Sequence, residues 1–240
     1  MCRLLKPVSA LVLGIALAGL NDLHGQQAAE PPESDLQRQI REAKEQGLEK
    51  IDLGLTITEP GFIRSLDVAV DNYDIIIATA AGRDVVLYDG DYARITTWYK
   101  FRTNRFIVRQ KDRLTHRSSR MAKRPLSSFQ LPPSLLPLAP QEFLLGMPGG
   151  TVSVDGISLK HSADGAPRFE MGSTYLLIAQ FTDLEDRVAV LPALGHCVFL
   201  IRGDELVPVI PSTRNPLAFD ILALYRGSLT RLEFALSLRP

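Results

Sequence analysis

The sequence is poor in cysteine: Cys2 and Cys197 are the only two among 240 residues. Two cysteines cannot build the disulfide framework that stabilises many small secreted domains. Cys197 lies in the apolar run 197–201, a pattern that indicates a buried strand, and a buried thiol is usually an inert small hydrophobe. We therefore expect the fold to depend on its hydrophobic core.

The sequence also lacks the common motifs of catalysis and metal binding. It contains no Gly-x-Ser-x-Gly, no His-Glu-x-x-His, no paired-cysteine metal site and no glycine-rich phosphate loop. Beyond residue 25, His116, His161 and His196 each stand without a neighbour at ligand spacing. The sequence therefore assigns no catalytic residue, no metal ligand and no cofactor.

Long apolar runs are confined to the N-terminus. Arg3 and Lys6 precede an apolar run of 13 residues at 8–20, and small or polar residues follow it. This order is typical of a secretory signal peptide, with cleavage after Gly25 or, alternatively, after Ala18. An uncleaved anchor is the competing interpretation, but a spanning helix needs about 20 apolar residues. We expect a signal peptide at 1–25, export to the periplasm or outside the cell, and no transmembrane span in the mature chain.

The remaining chain divides by its hydrophobic period. Residues 26–50 form a polar leader and a helix that begins after Ser34, because Ser34 and Gln37 have capping-box spacing. Its apolar stripe is Leu36, Ile40 and Ala43, and Gly47 suits its end. Residues 51–211 favour a β domain, and 212–240 favour a helical segment broken at Gly227.

Short apolar runs predict the strands of the β domain, which lie at 68–70, 75–78, 85–88, 95–101, 106–108, 175–181, 187–191, 197–202 and 206–210. Asp89 and Gly90 suggest a tight turn. The stretch 111–148 is charged and then proline-rich, which predicts an insertion without regular sheet and with a helical turn at 141–145. Pro208 lacks an amide proton, so its strand should lie at an edge or be bulged.

The hairpin at 151–160 is the clearest local prediction. Asp155 and Gly156 suit a two-residue type I′ turn. That register pairs Val154 with Ile157 and Val152 with Leu159, so the four apolar side chains share one face.

The order of these patterns resembles one found in exported, mostly uncharacterised bacterial β-barrel proteins. The matching segments are "DNYDIIIATA", "ITTWYKFRTNRFIV", "GGTVSVDG", "RFEMGSTYLLIAQF" and "LGHCVFLIRGDELVPV", within roughly 70–210. It is also similar to the netrin-like module of tissue inhibitors of metalloproteinases, an OB-type barrel. The positions that carry the resemblance read as structural and are Asp74, Thr97, Tyr99, Gly149, Gly150, Gly172, Tyr175, Leu176, Leu177, Gly195 and Phe199. The N-terminal cysteine of those inhibitors is absent.

The resemblance therefore implies a fold and no activity: a mainly β, OB-like antiparallel barrel with an N-terminal helix and a C-terminal helical segment.

Charge is unevenly distributed along the chain. Residues 100–124 hold ten bases and one acid, although the whole sequence has 27 of each sign. Tyr99, Phe101 and Phe106 interleave with the first bases, a mixture that binds anionic chains on some OB-type barrels. The candidate ligand-binding residues are Lys100, Arg102, Arg105, Arg109, Arg117, Arg120, Lys123 and Arg124. The alternative is a basic loop that balances an acidic body, with the aromatic residues in the core.

Two functions remain open at this point. The first is an exported, non-enzymatic binding module whose partner is an anionic polymer or a membrane surface. The second is an exported hydrolase-type enzyme with a site built from scattered carboxylates and His161. A pocket in which two titratable side chains converge would favour the enzyme.

Overall fold

The computed structural model describes residues 33–56, 63–89, 93–110, 123–163, 165–210 and 215–239. Strands dominate the described part of the chain, so the protein is mainly β. In chain order the strands are β1 (Lys50–Thr56), β2 (Asp74–Tyr88), β3 (Arg94–Val108), β4 (Glu142–Pro148), β5 (Gly150–Val154), β6 (Ile157–Ala163), β7 (Thr174–Phe181), β8 (Val188–Val190), β9 (Val198–Arg202) and β10 (Glu205–Pro208).

The helices lie at the two ends of the chain and before β2. They are α1 (Asp35–Glu45), α2 (Leu66–Asn72), α3 (Pro216–Tyr225) and α4 (Leu229–Ser237). The expected capping box of α1 is present: the Ser34 side chain accepts from the Gln37 amide, and the Gln37 side chain accepts in return. Among the described residues, no helix is long and apolar enough to cross a bilayer.

The seven-stranded sheet has the order β10-β9-β7-β2-β3-β4-β8. Strand β8 pairs with β4 in parallel and also with β7 in antiparallel. These pairings link β2, β3, β4, β8 and β7 into a ring. The ring is partial, since β8 is three residues long and pairs through two residues with each neighbour. Pro208 lies in the edge strand β10, as expected from its missing amide proton.

Strands β2 and β3 form a ribbon of 15 residues each, which extends beyond the ring. The sequence predicted four shorter strands here. The predicted strands 75–78 and 85–88 are both part of β2, and 95–101 and 106–108 are both part of β3. Register shifts at 75/76, 77/78 and 80/82 bend the ribbon without ending it. Gly82 permits close packing at the last of these, because an added Cβ would lie 3.3 Å from Leu135 Cδ2.

Three hydrophobic clusters cover the two faces of the ribbon. One face carries the main core at the ring, which includes Phe101, and a second cluster further along, which includes Ile95 and Leu159. The second cluster is completed by α1 and by the small sheet β1-β6-β5. The opposite face carries Trp98, and the proline-rich segment covers it with Leu126, Phe129, Leu131, Leu135 and Leu138.

Two local predictions were wrong. Residues 68–70 are helical, because the Ser65 side chain accepts from the Val68 amide and caps α2. Leu66, Ala69 and Val70 are the buried residues, which is helical spacing. Residues 141–145 belong mainly to β4, whose Phe143 and Leu145 pair with Phe101 and Tyr99 of β3. The proline-rich insertion therefore ends before Glu142. Residues 142–148, which were expected to belong to it, form the strand β4 of the seven-stranded sheet.

Other predictions are confirmed. The hairpin β5–β6 has the expected register, with Val154 opposite Ile157 and Val152 opposite Leu159. Asp155 and Gly156 both have positive φ, as a type I′ turn requires. The C-terminal segment is helical and breaks at Gly227, which has a φ of 65°. The turn expected at Asp89 and Gly90 lies partly outside the described residues.

The hairpin register predicts unequal costs of truncation. Leu159 is fully buried, Val154 is half-buried and Ser153 is exposed. Leu159→Ala should lower the free energy of unfolding by about 2–4 kcal/mol and Val154→Ala by about 1 kcal/mol, through lost burial and cavity formation. Ser153→Ala should be nearly neutral. Denaturant titrations measure the three values, and an equal loss at Ser153 and Leu159 would show the opposite register.

Candidate functional site

A cleft lies between the two clusters on one face of the β2–β3 ribbon. Along β3 the residues on this face are Ile95 in the second cluster, Thr97 and Tyr99 in the cleft, and Phe101 in the main core. Because alternate residues of a strand share a face, one run of sequence passes from core to cleft to core. The ribbon bends over a length that neither cluster fills, and the cleft occupies that gap.

The floor of the cleft is polar and closely packed. Thr97 is 8% exposed, and its hydroxyl donates a 2.7 Å hydrogen bond to the Gly149 carbonyl. Gly150 lies against the same threonine with a φ of 146°, and an added Cβ would be 2.7 Å from Thr97 Oγ1. This explains the Gly149–Gly150 pair: the chain turns from β4 into β5 directly over the ribbon.

The rim of the cleft is positively charged. Arg83 enters from β2, Lys160 from β6, and Arg168 from the loop before β7, and all three are exposed. His161, Thr151 and Ser162 add further polar side chains, and the cleft volume is about 360 Å³. Among the described residues that line it, none carries a carboxylate.

The three rim cations make no ion pair within the described part of the chain, although Asp52 of β1 is the cross-strand neighbour of Lys160. Like charges that share a concave surface raise the local potential and attract anions. The cleft is therefore suited to an anionic group.

His161 is held by the backbone of the ribbon. The Ile95 amide donates to its Nδ1 at 3.4 Å. With Nδ1 as acceptor, the neutral imidazole carries its proton on Nε2 and can act as a hydrogen-bond donor from that atom. His161, which the sequence analysis named for an enzymatic site, thus lines the cleft together with the cationic side chains of its rim.

The six described bases of the stretch 100–124 do not line the cleft, and four of them are ion-paired. Arg105 donates to Glu233 Oε1 at 2.8 and 2.6 Å, and Lys100 Nζ lies 3.9 Å from Glu142 Oε2. Both Arg109 and Lys123 pair with Asp186. Each of these four bases thus forms an ion pair with an acidic residue outside the stretch 100–124.

The other members of the stretch differ. Arg124 stacks over the Phe129 ring at 5.0 Å, and Arg102 is exposed on β3. Arg117 and Arg120 lie outside the described residues. Tyr99 and Phe101 are buried in the main core, and Phe106 packs against it. These three aromatic residues therefore pack toward the core, as the alternative interpretation of the basic stretch predicted.

Among the described carboxylates, Asp74 is distant from His161. Asp74 is 8% exposed, burial raises its pKa, and it accepts from the Gln110 amide at 2.9 Å. It begins β2, whereas His161 contacts Ile95, which pairs with Leu87 near the end of β2. Thirteen residues along a strand span roughly 40 Å. Asp74 and His161 consequently do not form one site.

His196 and Cys197 are adjacent and buried, but they lie in a 3₁₀ turn (Leu194–Cys197) rather than in a strand. Cys197 thus lies one residue before β9 rather than within the strand that its apolar run indicated. Burial raises the pKa of the Cys197 thiol to about 12, so the thiolate is suppressed at neutral pH. Burial also lowers the pKa of His196. Cys197 is buried, as the apolar run indicated.

Sequence reasoning missed the three rim cations because they are far apart along the chain. Arg83 interrupts a run of apolar and small residues, Lys160 ends an alternating hairpin, and Arg168 follows a proline. Each alone reads as an ordinary exposed residue. One signal was visible: on the face defined by Ile95 and Phe101, Thr97 is polar between apolar neighbours.

Comparisons with models of known families, with curated proteins and with solved structures found no match to this chain. The function is therefore argued from the cleft itself.

The packing at the cleft floor generates a prediction about its glycines. Gly150→Ala should lower the free energy of unfolding by about 3 kcal/mol or more, because the new Cβ clashes with Thr97 and strains the backbone. Gly172 also has a positive φ but meets nothing within 4 Å, so Gly172→Ala should cost only about 1 kcal/mol of strain. Equal losses in thermal or chemical unfolding would contradict the close contact.

Proposed function

We propose that the protein is a non-enzymatic binding module that holds an anionic group of its ligand in the cleft. The observation that carries the proposal is the joint presence of Arg83, Lys160 and Arg168 around one cleft, whose described lining contains no carboxylate. A bound anion would relieve the repulsion among these cations.

The chemistry of the lining suits a carboxylate, sulfate or phosphate. Arginine presents a planar fork of donors that matches such oxygens, whereas lysine adds a compact point charge. Hydroxyls of Thr151 and Ser162 and the imidazole of His161 supply further donors nearby. Arginine and hydroxyl donors together favour a polar, hydroxylated anion over an apolar acid.

The size of the cleft limits what enters it. About 360 Å³ is at the lower end of the range for small-ligand sites, which is roughly 300–1,000 Å³. The cleft can hold one charged unit of a larger molecule, with the rest of the ligand outside. An anionic polymer, bound through one of its acidic units, fits both the charge and the volume.

The order of strands around the partial ring supports an OB-like arrangement. The five ring strands follow each other along the chain as β2, β3, β4, β7 and β8, and β8 pairs with both β4 and β7. An OB-type barrel is likewise a partly open ring of five strands. Such barrels bind oligosaccharides and oligonucleotides across their second and third strands, and here those strands contribute Thr97, Tyr99 and Met147 to the cleft.

The hydrolase alternative has less support. It requires a carboxylate beside His161 to act as acid, base or orienting group, and the described lining of the cleft supplies cations and hydroxyls instead. The basic stretch at 100–124 is a second candidate for the anion site, through Arg102, Arg117, Arg120 and Arg124. Its remaining described bases already pair with acids of the body.

Binding of heparin and of a polyuronate, measured by calorimetry at low and at physiological salt, tests the proposal. The wild type should bind, and its affinity should fall as salt rises, because charge attraction is screened. The triple variant Arg83→Gln, Lys160→Gln, Arg168→Gln should lose roughly tenfold or more in affinity, since charge-assisted hydrogen bonds are lost. All three side chains are exposed, so the variant should unfold like the wild type.

Two controls separate the candidate sites. Arg102→Gln removes an exposed arginine from the same ribbon, on the face away from the cleft, and should leave binding unchanged. The variant Arg117→Ser, Arg120→Ser, Lys123→Ser, Arg124→Ser alters the basic stretch and should also bind. If this second variant loses binding while the cleft variant retains it, the anion site is the basic stretch and the cleft proposal is wrong.

Export belongs to the same proposal and rests on the leader at 1–25. N-terminal sequencing of protein recovered outside the cytoplasm should find a chain that begins at Gln26. An intact leader on membrane-embedded protein would contradict this expectation.

A further inference from the structure

We propose that the outer face of the C-terminal helix pair docks on the surface of an anionic lipid bilayer. The face consists of the exposed residues of α3 and α4 and of the turn between them: Pro216, Phe219, Ala223, Leu224, Arg226, Thr230, Arg231, Phe234, Ser237 and Leu238. We call it the helical face. It is independent of the cleft and of the ligand proposed for it.

Four large apolar side chains project from the helical face into solvent. Phe219, Leu224, Phe234 and Leu238 are each 65–69% exposed. Single exposed apolar residues are ordinary, but a group of them on neighbouring elements marks an interaction surface. Helices α3 and α4 follow each other directly and contact each other, so the four side chains lie on adjoining helices.

The opposite sides of both helices are already occupied by the core. Leu217, Ala218 and Ile221 of α3 are fully buried, and Leu229, Leu232 and Leu236 of α4 are buried with them in the main cluster. Helix α3 thus has apolar residues on both sides, although only one side meets the protein. A helix that is apolar all round normally has a second partner.

The exposed charges of α3, α4 and their turn have one sign, and Asp204 of the β9–β10 turn borders them as an exposed acid that accepts from Thr230 beside Arg231. The ten exposed residues of the helical face include Arg226 and Arg231 and no acid. The two acids of these helices point elsewhere: Asp220 accepts from the Leu66 amide at 3.3 Å, and Glu233 holds Arg105. Exposed phenylalanine and leucine with flanking arginines is the composition of segments that lie in the interface of anionic membranes.

The charge pattern favours a lipid surface over a second copy of this chain. A symmetric dimer would place the same patch on both sides of its interface. A dimer would then bring four arginines together with only the two copies of Asp204 from the β9–β10 turns bonded at its border, an excess of positive charge that disfavours association. Anionic headgroups instead supply the missing negative charge while the acyl region receives the apolar side chains.

The helix pair is firmly attached and can act as a platform. Asp204 accepts from the Ser228 hydroxyl and from the Thr230 amide and hydroxyl, so the start of α4 is fixed to the β9–β10 turn. Arg105 and Glu233 join α4 to the ribbon, and Arg239 pairs with Asp67 of α2. The apolar side chains are therefore presented by an ordered surface.

Vesicle flotation with the full chain tests the proposal. Vesicles of phosphatidylcholine with 30% phosphatidylglycerol should carry the wild type upward at low salt, and phosphatidylcholine alone should carry much less. The variant Phe219→Gln, Phe234→Gln removes two anchors from exposed helical positions and should lower partitioning at least tenfold. Arg226→Gln, Arg231→Gln should remove the preference for the anionic vesicles.

Met171→Gln, Leu184→Gln is the matched control, because it removes two exposed apolar side chains from other parts of the surface, and it should float like the wild type. The proposal is overturned if the wild type ignores anionic vesicles, or if the phenylalanine variant still floats with them. It is also overturned if sedimentation shows a dimer that the phenylalanine substitutions dissolve, since a second copy would then cover the helical face.

Discussion

The structure depends on the coverage of one face of the β2–β3 ribbon. Each strand has 15 residues, about 50 Å of extended chain, which is longer than a single core of this size can cover. The chain solves this with two clusters on the same face: the ring and its strands cover one end, and α1 with the small sheet covers the other. Most other elements are placed by this requirement, including the N-terminal helix, whose only apolar stripe packs into the second cluster.

The candidate site follows from the same constraint. Between the clusters lie Thr97 and Arg83, and the cleft is bordered by Val85 of the second cluster and by Tyr99 and Met147 of the main core. The β4–β5 turn closes over them with two glycines, and β6 brings Lys160 and His161 to the rim. A polar gap between two cores is a position where cations can gather without being buried. The cleft thus results from the arrangement of the two clusters, and its positive charge comes from Arg83, Lys160 and Arg168.

Sequence reasoning succeeded where the signal was local. The capping box of α1, the β5–β6 turn and the break at Gly227 each depend on residues within a few positions, and the structure confirms them. It failed at α2, where three apolar residues looked like a strand and Ser65 was overlooked as a cap. It also failed at β4, because prolines upstream hid a central strand. The cleft was out of reach, since Arg83, Lys160 and Arg168 come from β2, β6 and the loop before β7 and are brought together only by the tertiary fold. The basic stretch was conspicuous for the opposite reason: its charges are adjacent in sequence, but the fold pairs most of the described ones with acids.

A titration of the ¹⁵N-labelled protein with a short polyuronate, followed by amide chemical shifts, tests the central claim most directly. The account predicts shifts at the amides of Gly149, Gly150, His161, Ser162 and Arg168, which surround the cleft, with little change at Arg105, Arg109 and Arg124. Shifts confined to those three arginines and their neighbours, with the cleft amides unmoved, would contradict it.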